Sequence, residues 1–366
     1  MPNRCQYLVQ NPLTGIGFGV LRSDVEFKIK GKTDIGSMRE ENQDSLGEVA
    51  LDGGVFLTVA DGMGGYAGGS LASKTAVQAL MEWVTKNWKG KDTDVKELLR
   101  DAVSDANRAV RDKALGDEEL RDMGTTCVCL LVKGEEFYVA HVGDSRAYLM
   151  RDGTFSLLTE DHTVIQQLIS KGKVGPLEAS YHPSAGILMR CLGQLDEVLP
   201  DLWGPEPLKQ GDLVLLCSDG LTGMVYEDEI AHQFIDEGVE DAVDSLIRMA
   251  NEAGGFDNIT VQVLQVGELP VEARSWKLIV DSPEGLALAS AEGRLPANLD
   301  QGRLRHTISM AAVEDLDLSE PTVPVIEEAQ PWKPEKERMK RLLLVAAVAG
   351  LLLGAGIMFL LCGSGT

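Results

Sequence analysis

Five aspartates stand where a carboxylate could be held open for chemistry: Asp44 in REENQDS, Asp61 in VADGMGG, Asp144 in HVGDSRAY, Asp219 in LLCSDGL and Asp257 in GGFDNIT. Most lie where an apolar strand ends or where a strand begins after a turn, so several could converge at one edge of the sheets. An Asp before Gly is more often an ordinary turn residue, but five in such settings strain that reading. Carboxylates brought together repel and raise one another's pKa unless cations compensate, so a converged cluster implies metal. Oxygen-only donors point to Mg²⁺ or Mn²⁺ rather than zinc. The glycines after Asp61 differ from a dinucleotide-binding turn, which needs no acid at the strand end and wants a second acid about 20 residues on. Gly62, Gly64 and Gly65 instead let the backbone turn sharply beside an exposed carboxylate.

The elements that must position these acids alternate in a definite order. Strand patterns occur at FKIKGKTD, VFLTVAD, TTCVCLLV, EFYVAHVG, SRAYLM, LVLLCSD and DNITVQVLQV. Helical periodicity runs through Ala72, Ala76, Ala79, Leu80 and Trp83, then through Val95, Leu98, Leu99, Ala102, Val103 and Ala106. A third helix shows Val239, Ala242, Val243, Leu246, Ile247 and Ala250. Two helices in succession followed by a meander of strands favour an α+β layered domain over a βαβ repeat.

Composition excludes some partners. Asp and Glu outnumber Lys and Arg by 57 to 34, which argues against nucleic acid because neutralising phosphates needs basic surface. The six cysteines show no zinc-type pairing, and Cys127 with Cys129 would point to one side of a single strand. A reduced, cytosolic main domain is the simplest reading. The N-terminus shows no secretory signal, whereas residues 342–362, LLLVAAVAGLLLGAGIMFLLC, carry no charge. As a helix they would span roughly 30 Å, the thickness of a bilayer core. Lys333, Lys336, Arg338, Lys340 and Arg341 precede this span and nothing basic follows, so a single-pass C-terminal anchor leaves the bulk of the chain in the cytoplasm. Residues 268–341, with scattered Pro and acids, read as a flexible linker with a reach of about 45 to 50 Å.

The ordered set TDIGSMREENQDS, VADGMGG, GTT, VGDSRAYL, LTEDHT, LLCSDGL and DNIT resembles the metal-dependent protein Ser/Thr phosphatases of type 2C in their bacterial form. Each motif alone is weak; the combination in this order is specific and covers about residues 28–267. The resemblance implies a four-layer α-β-β-α sandwich, two central antiparallel sheets flanked by helices, with a binuclear metal centre at one end. The expected organisation is an N-terminal extension (1–27), a catalytic domain (28–267), the linker (268–341) and the transmembrane helix (342–362).

Carried over residue by residue, the resemblance implies that Asp61 bridges two Mn²⁺ or Mg²⁺ ions, with the Gly62 carbonyl as a neutral ligand. Asp219 and Asp257 match ligands of one ion, and Asp44 matches a residue that holds the other. Asp144, with Asp219, matches a third, weaker position. Arg39 matches the phosphate-binding arginine, whose planar fork suits phosphate oxygens. Two ions sharing a water would lower its pKa and set a hydroxide in line with phosphorus while Arg39 and the ions neutralise the developing charge. Phosphorylated proteins would be the substrates, and Ser/Thr kinases at the same membrane the opposing partners. The rival reading is a catalytically inactive phosphoprotein-binding or metal-sensing module of the same fold.

Departures from the family pattern are local. Met63 stands where many eukaryotic relatives have a histidine proposed to protonate the leaving group; a metal-bound water is the first alternative and His162 the second. Gln43 replaces a Glu of some relatives, and Phe256 stands where small or polar residues are common, which bears on substrate entry. The segment from about 171 to 204 matches the family's variable flap. Thr307 and Ser309, following Arg303 and Arg305, could be read by a basic-directed kinase or serve as a phosphorylated docking tail, though a solvated linker with chance basic residues is the favoured reading. Ala346, Gly350 and Gly354 repeat at spacing four, a small-residue stripe that could pair two copies of the anchor as a homodimer.

Overall fold

The computed structural model describes residues 16–20, 26–179, 182–270, 273 and 279–282. The expected anchor, its small-residue stripe and the Thr307/Ser309 pattern lie outside these residues. Among the described residues no helix is long and apolar enough to cross a membrane.

Strand-forming runs assemble two sheets. The first has the order β1 (Ile16–Val20), β2 (Glu26–Asp34), β12 (Ile259–Val266), β11 (Leu213–Cys217), β8 (Arg146–Arg151), β9 (Thr154–Leu157) and β13 (Ile279–Asp281). The second has the order β10 (Asp201–Pro207), β7 (Glu136–Val142), β6 (Cys127–Lys133), β4 (Gly54–Met63) and β3 (Asp44–Leu51), with the short β5 (Gly124–Thr125) paired to the end of β4. All these pairings are antiparallel except β13 on β9.

The two-residue period of a strand explains why these runs are apolar on both sides. In β6, Val128, Leu130 and Val132 enter the core between the sheets, with Val55, Leu57 and Val59 of β4 and Val214 and Leu216 of β11. The alternate residues Cys127, Cys129 and Leu131 turn outward onto helices α1 (Gly65–Asn87) and α2 (Val95–Ala114). Both cysteines thus lie on one side of one strand, unpaired and buried. On the other flank Leu213, Leu215 and Cys217 meet α6 (Glu227–Glu252), whose path breaks at Gly238 with φ 74°. Helices, sheet, sheet and helix form four layers, as the resemblance implies. The amphipathic α2 starts where the Asp94 side chain accepts the Glu97 N–H, and it buries Leu98, Leu99, Ala102, Val103, Ala106 and Val110. The shorter helix α3 (Val164–Ser170) precedes the expected flap, α4 (Pro176–Ala179) lies within it, and α5 (Asp219–Thr222) follows β11.

Two expected boundaries shift. β1, within the expected extension 1–27, pairs with β2 from Ile16↔Lys30 to Val20↔Glu26. At the other end, within the expected linker, Ile279, Val280 and Asp281 pair with β9 and Ala273 is buried against α6. The physical reason is the same at both ends: β2 and β9 would otherwise leave open sheet edges, and short apolar segments nearby in the chain satisfy them.

The fold predicts a sharp contrast between layers. Leu130→Ala, at a side chain with no exposed surface between the sheets, lowers unfolding free energy by about 2–5 kcal/mol in urea denaturation. Leu115→Ala, 76% exposed after α2, stays within about 0.5 kcal/mol. Equal losses at both positions would contradict this packing.

Candidate metal centre

The antiparallel geometry carries the acids to one end of the sandwich. β3 begins at Asp44, and the register places Asp44 opposite Asp61 near the end of β4. Side chains of directly opposed residues share a face, with Cβ atoms about 5 Å apart. In the other sheet β11 ends at Cys217 and the antiparallel β12 begins at Ile259, so Asp219 and Asp257 leave the same edge. Asp144 occupies the turn between β7 and β8.

Hydrogen bonds tie the two edges together. Asp44 is buried, and its Oδ2 accepts from Ser218 Oγ and from Thr260 Oγ1, each at 2.7 Å. Ser218 Oγ in turn accepts from the Thr260 N–H at 3.0 Å. Asp61 is pinned by its main chain: its N–H donates to Thr126 Oγ1 at 2.9 Å, and its carbonyl accepts from the Thr125 hydroxyl and the Thr126 N–H, both at 2.8 Å. Asn258 closes the loop before β12, its Nδ2 donating to the carbonyls of Ile35 and Glu41 while its Oδ1 accepts the Gln43 N–H. Ser218, Thr126, Thr260 and Asn258 are positioning residues that carry no acid of their own. Three of them lay in the motifs LLCSDGL and DNIT, and Thr126 in GTT.

Only glycine fits at the turn after Asp61. A Cβ on Gly62 would stand 2.0 Å from the Gly69 carbonyl oxygen and 2.6 Å from that of Gln43. Gly64 has φ 122°, and a Cβ there would meet Met123 Cα at 2.4 Å. The turn lets β4 run directly into α1 with the Gly62 carbonyl lying against Gly69.

Electrostatics give the site its chemical character. Burial pushes the Asp44 carboxyl up to about 7, with Asp219 and Asp257 adding repulsion and the two hydroxyl bonds opposing it. Asp61 is held well above the usual carboxylate range by burial and then by Asp44, Asp219, Asp144 and Asp257. Burial and then Asp219 do the same for Asp144, and burial and then Asp257 raise Asp219, whose carboxyl hydrogen-bonds that of Asp61. Every one of the five acids therefore acts on others of the set. Among the described residues, Asp44 Oδ1 and Asp219 Oδ1 are buried with no hydrogen-bond partner. Orphaned buried oxygens of anionic groups are costly, and a hard divalent cation is the partner that satisfies them. The donor set fits such ions.

Arg39 stands at the mouth of this cluster, half exposed, with Nη2 2.7 Å from Asp257 Oδ2 and Nε 3.3 Å from the Phe256 carbonyl. His162 is placed elsewhere. Its ring is buried, accepts the Gly143 N–H at Nδ1, stacks on His141 at 4.5 Å and faces Asp201 Oδ2 at 3.2 Å through Nε2. Both nitrogens are thereby engaged, which assigns His162 to holding the turn that carries Asp144 rather than to proton delivery. Ligand atoms of His141, His162 and Asp201 lie within 4.8 Å of one another. Arg190 already bonds both oxygens of Asp201, at 2.8 and 3.1 Å, so a cation there would meet a guanidinium.

Known proteins resemble this chain in sequence and fold. Residues 37–255, more than half of the chain, match the family model described as Protein phosphatase 2C. Protein phosphatase PhpP of Streptococcus pneumoniae serotype 2 is 38% identical over 246 residues, which are 66% of this chain and 98% of that protein. Serine/threonine protein phosphatase PstP of Mycobacterium tuberculosis is 32% identical over 337 residues, which are 92% of this chain and 61% of that protein. A solved structure of the PstP catalytic domain in complex with two manganese ions superposes with TM-score 0.59 at 34% identity, covering 67% of this chain and 99% of that one. Motif order, sandwich topology, a carboxylate cluster at one sheet edge and these matches lead to one conclusion: the chain belongs to the protein phosphatase 2C family of metal-dependent phosphatases.

Proposed function

We propose that this chain is a membrane-tethered protein serine/threonine phosphatase that hydrolyses phosphoserine and phosphothreonine on proteins at a binuclear Mn²⁺ or Mg²⁺ centre. The observation that carries the reading is the pair of orphaned buried carboxylate oxygens, on Asp44 and Asp219, within a cluster whose Asp44, Asp61, Asp144 and Asp219 carboxyls are all raised. In this reading Asp61 would help to hold the two ions, with the Gly62 carbonyl as a neutral ligand. Asp219 and Asp257 would hold one ion, Asp44 the other, and Asp144 with Asp219 a third, weaker one. When bound, such ions supply Lewis acidity to phosphoryl oxygens and acidify water at neutral pH.

The chain's own residues do the rest. Ser218 and Thr260 fix the rotamer of Asp44, so its remaining oxygen is aimed without further ordering cost. The Thr125 and Thr126 bonds hold Asp61 at the strand end. Arg39 uses Nε and Nη2 on Phe256 and Asp257, which leaves Nη1 to donate to a phosphate oxygen at the mouth. The ion pair with Asp257 orients that fork toward the acids.

Tethering rests on the uncharged residues 342–362 and the basic residues before them. A catalytic unit on such a tether would meet substrates of kinases working at the same membrane.

Three outcomes are expected. Mn²⁺-dependent turnover of a phosphothreonine peptide falls by about 10³-fold in Asp219→Asn and about 10²-fold in kcat/KM in Arg39→Ala. Metal binding without turnover in the wild type would favour the sensing module instead.

The second concerns pH. The folded state keeps protons on Asp44, Asp61, Asp144 and Asp219 that the unfolded chain releases at about pH 4, so these raised carboxyls contribute stability at low pH that is lost as pH rises, the share of Asp44 through about 7. In EDTA the melting temperature accordingly declines between pH 5 and 8, and Mn²⁺ raises it more at pH 8 than at pH 5, by differential scanning fluorimetry. A flat profile in EDTA would contradict the carboxylate cluster.

Third, the full chain sediments with membranes and resists carbonate extraction, whereas deletion of residues 342–362 releases it. A soluble full chain would remove the tether from the proposal.

A further inference from the structure

Two loops meet beside Arg39. The N–H groups of Ser37 and Met38 both donate to the Gly255 carbonyl, at 2.9 and 3.1 Å, and Asn258 Nδ2 donates to the Ile35 carbonyl at 2.8 Å. Gly36, with φ 79°, lies so near that a Cβ would stand 2.1 Å from the Asp257 carbonyl oxygen. The Phe256 ring folds back over Gly254, where a Cβ would come within 2.7 Å of it. The loops are therefore fixed to one another, and what they display is apolar: Met38 is 65% exposed, Phe256 60% and Ile35 39%. Single exposed hydrophobic residues are ordinary on a protein surface. Three of them on two hydrogen-bonded loops at the mouth of a site are not scattered. Met38 and Phe256 are each the chain neighbour of one partner in the Arg39–Asp257 ion pair.

We propose that Met38 and Phe256 form an apolar lip that selects substrates carrying an apolar side chain within about three residues of the phosphorylated Ser or Thr. The proposal rests on the phosphatase reading above and names the substrate class of that same site. The geometry supplies the reason. A phosphoserine or phosphothreonine side chain is short, so a substrate whose phosphate reaches Arg39 must lay its backbone across the loops that carry Arg39 and Asp257. An extended chain advances about 3.3 Å per residue, which brings residues up to about three positions from the phosphorylated one over Met38 and Phe256. An aliphatic side chain there leaves water for the lip, whereas a small polar one leaves the lip exposed. Partial burial of one such side chain gives about a tenfold preference.

The test compares kcat/KM of the full chain with Mn²⁺ on two phosphothreonine peptides of equal charge that differ only in Leu or Ser at the two positions flanking the phosphothreonine. The wild type is expected to favour the Leu peptide about tenfold. The double variant Met38→Ser/Phe256→Ser is expected to bring the ratio within about twofold of unity, and Phe256→Leu to keep it. Because the readout is a ratio, a smaller folded or active fraction cancels. A wild-type ratio near unity, or a ratio unchanged in the double Ser variant, overturns the lip. Hydrolysis of p-nitrophenyl phosphate by the wild type reports the phosphatase reading separately: turnover of it without peptide selectivity sinks the lip alone, and no turnover of any substrate sinks both.

Discussion

The carboxylate of Asp44 is the clasp between the two sheets. It starts a strand of one sheet and accepts hydrogen bonds from Ser218 and Thr260, which stand where neighbouring strands of the other sheet end and begin. The clasp brings Asp61 on one edge toward Asp219 and Asp257 on the other. Burying an anion is expensive unless it is paired, and two hydroxyl bonds satisfy only one oxygen of Asp44. The other oxygen, like Asp219 Oδ1, has no hydrogen-bond partner among the described residues. The domain therefore carries at one end a local conflict that its own side chains do not resolve.

That conflict is tolerable because the remainder of the fold is conventional. β4, β6, β11 and β12 are buried between a sheet and a helix layer, and the two-residue alternation of β4, β6 and β11 feeds two cores at once. Side chains locked in such packing hold strand ends in place, and strand ends hold the acids. Sequences commonly break their own rules at functional sites and nowhere else. Here the break is the gathering of like charges, with Gly62 and Gly64 as the backbone concessions that permit it.

Much of this was legible from the residues. Runs such as CVCLLVK and LVLLC announce buried strands, and the spacing of Val95, Leu98, Leu99, Ala102 and Val103 announces α2. The acids were legible by their position at strand ends. β3, DSLGEVAL, was not, because its burial alternates irregularly and Gly47 lowers its strand signal. β1 and β13 were missed for another reason: they are short edge pieces whose place depends on the open flanks of β2 and β9, a tertiary fact. The union of Arg39 with Asp257, 218 residues apart in the chain, was also invisible, since spacing reports neighbours along an element and not across a closed sandwich. His162 was the second alternative for proton delivery, after a metal-bound water. Its two ring nitrogens proved to be committed to Gly143 and Asp201.

The central claim is that remote acids at a shared sheet edge are held together for divalent cations. Diffraction from crystals grown with Mn²⁺, recorded at the manganese absorption edge, tests it most directly. The account predicts anomalous peaks in contact with the carboxylates of Asp61, Asp219 and Asp257. An edge without peaks, or manganese found only at His141, His162 and Asp201, would contradict it.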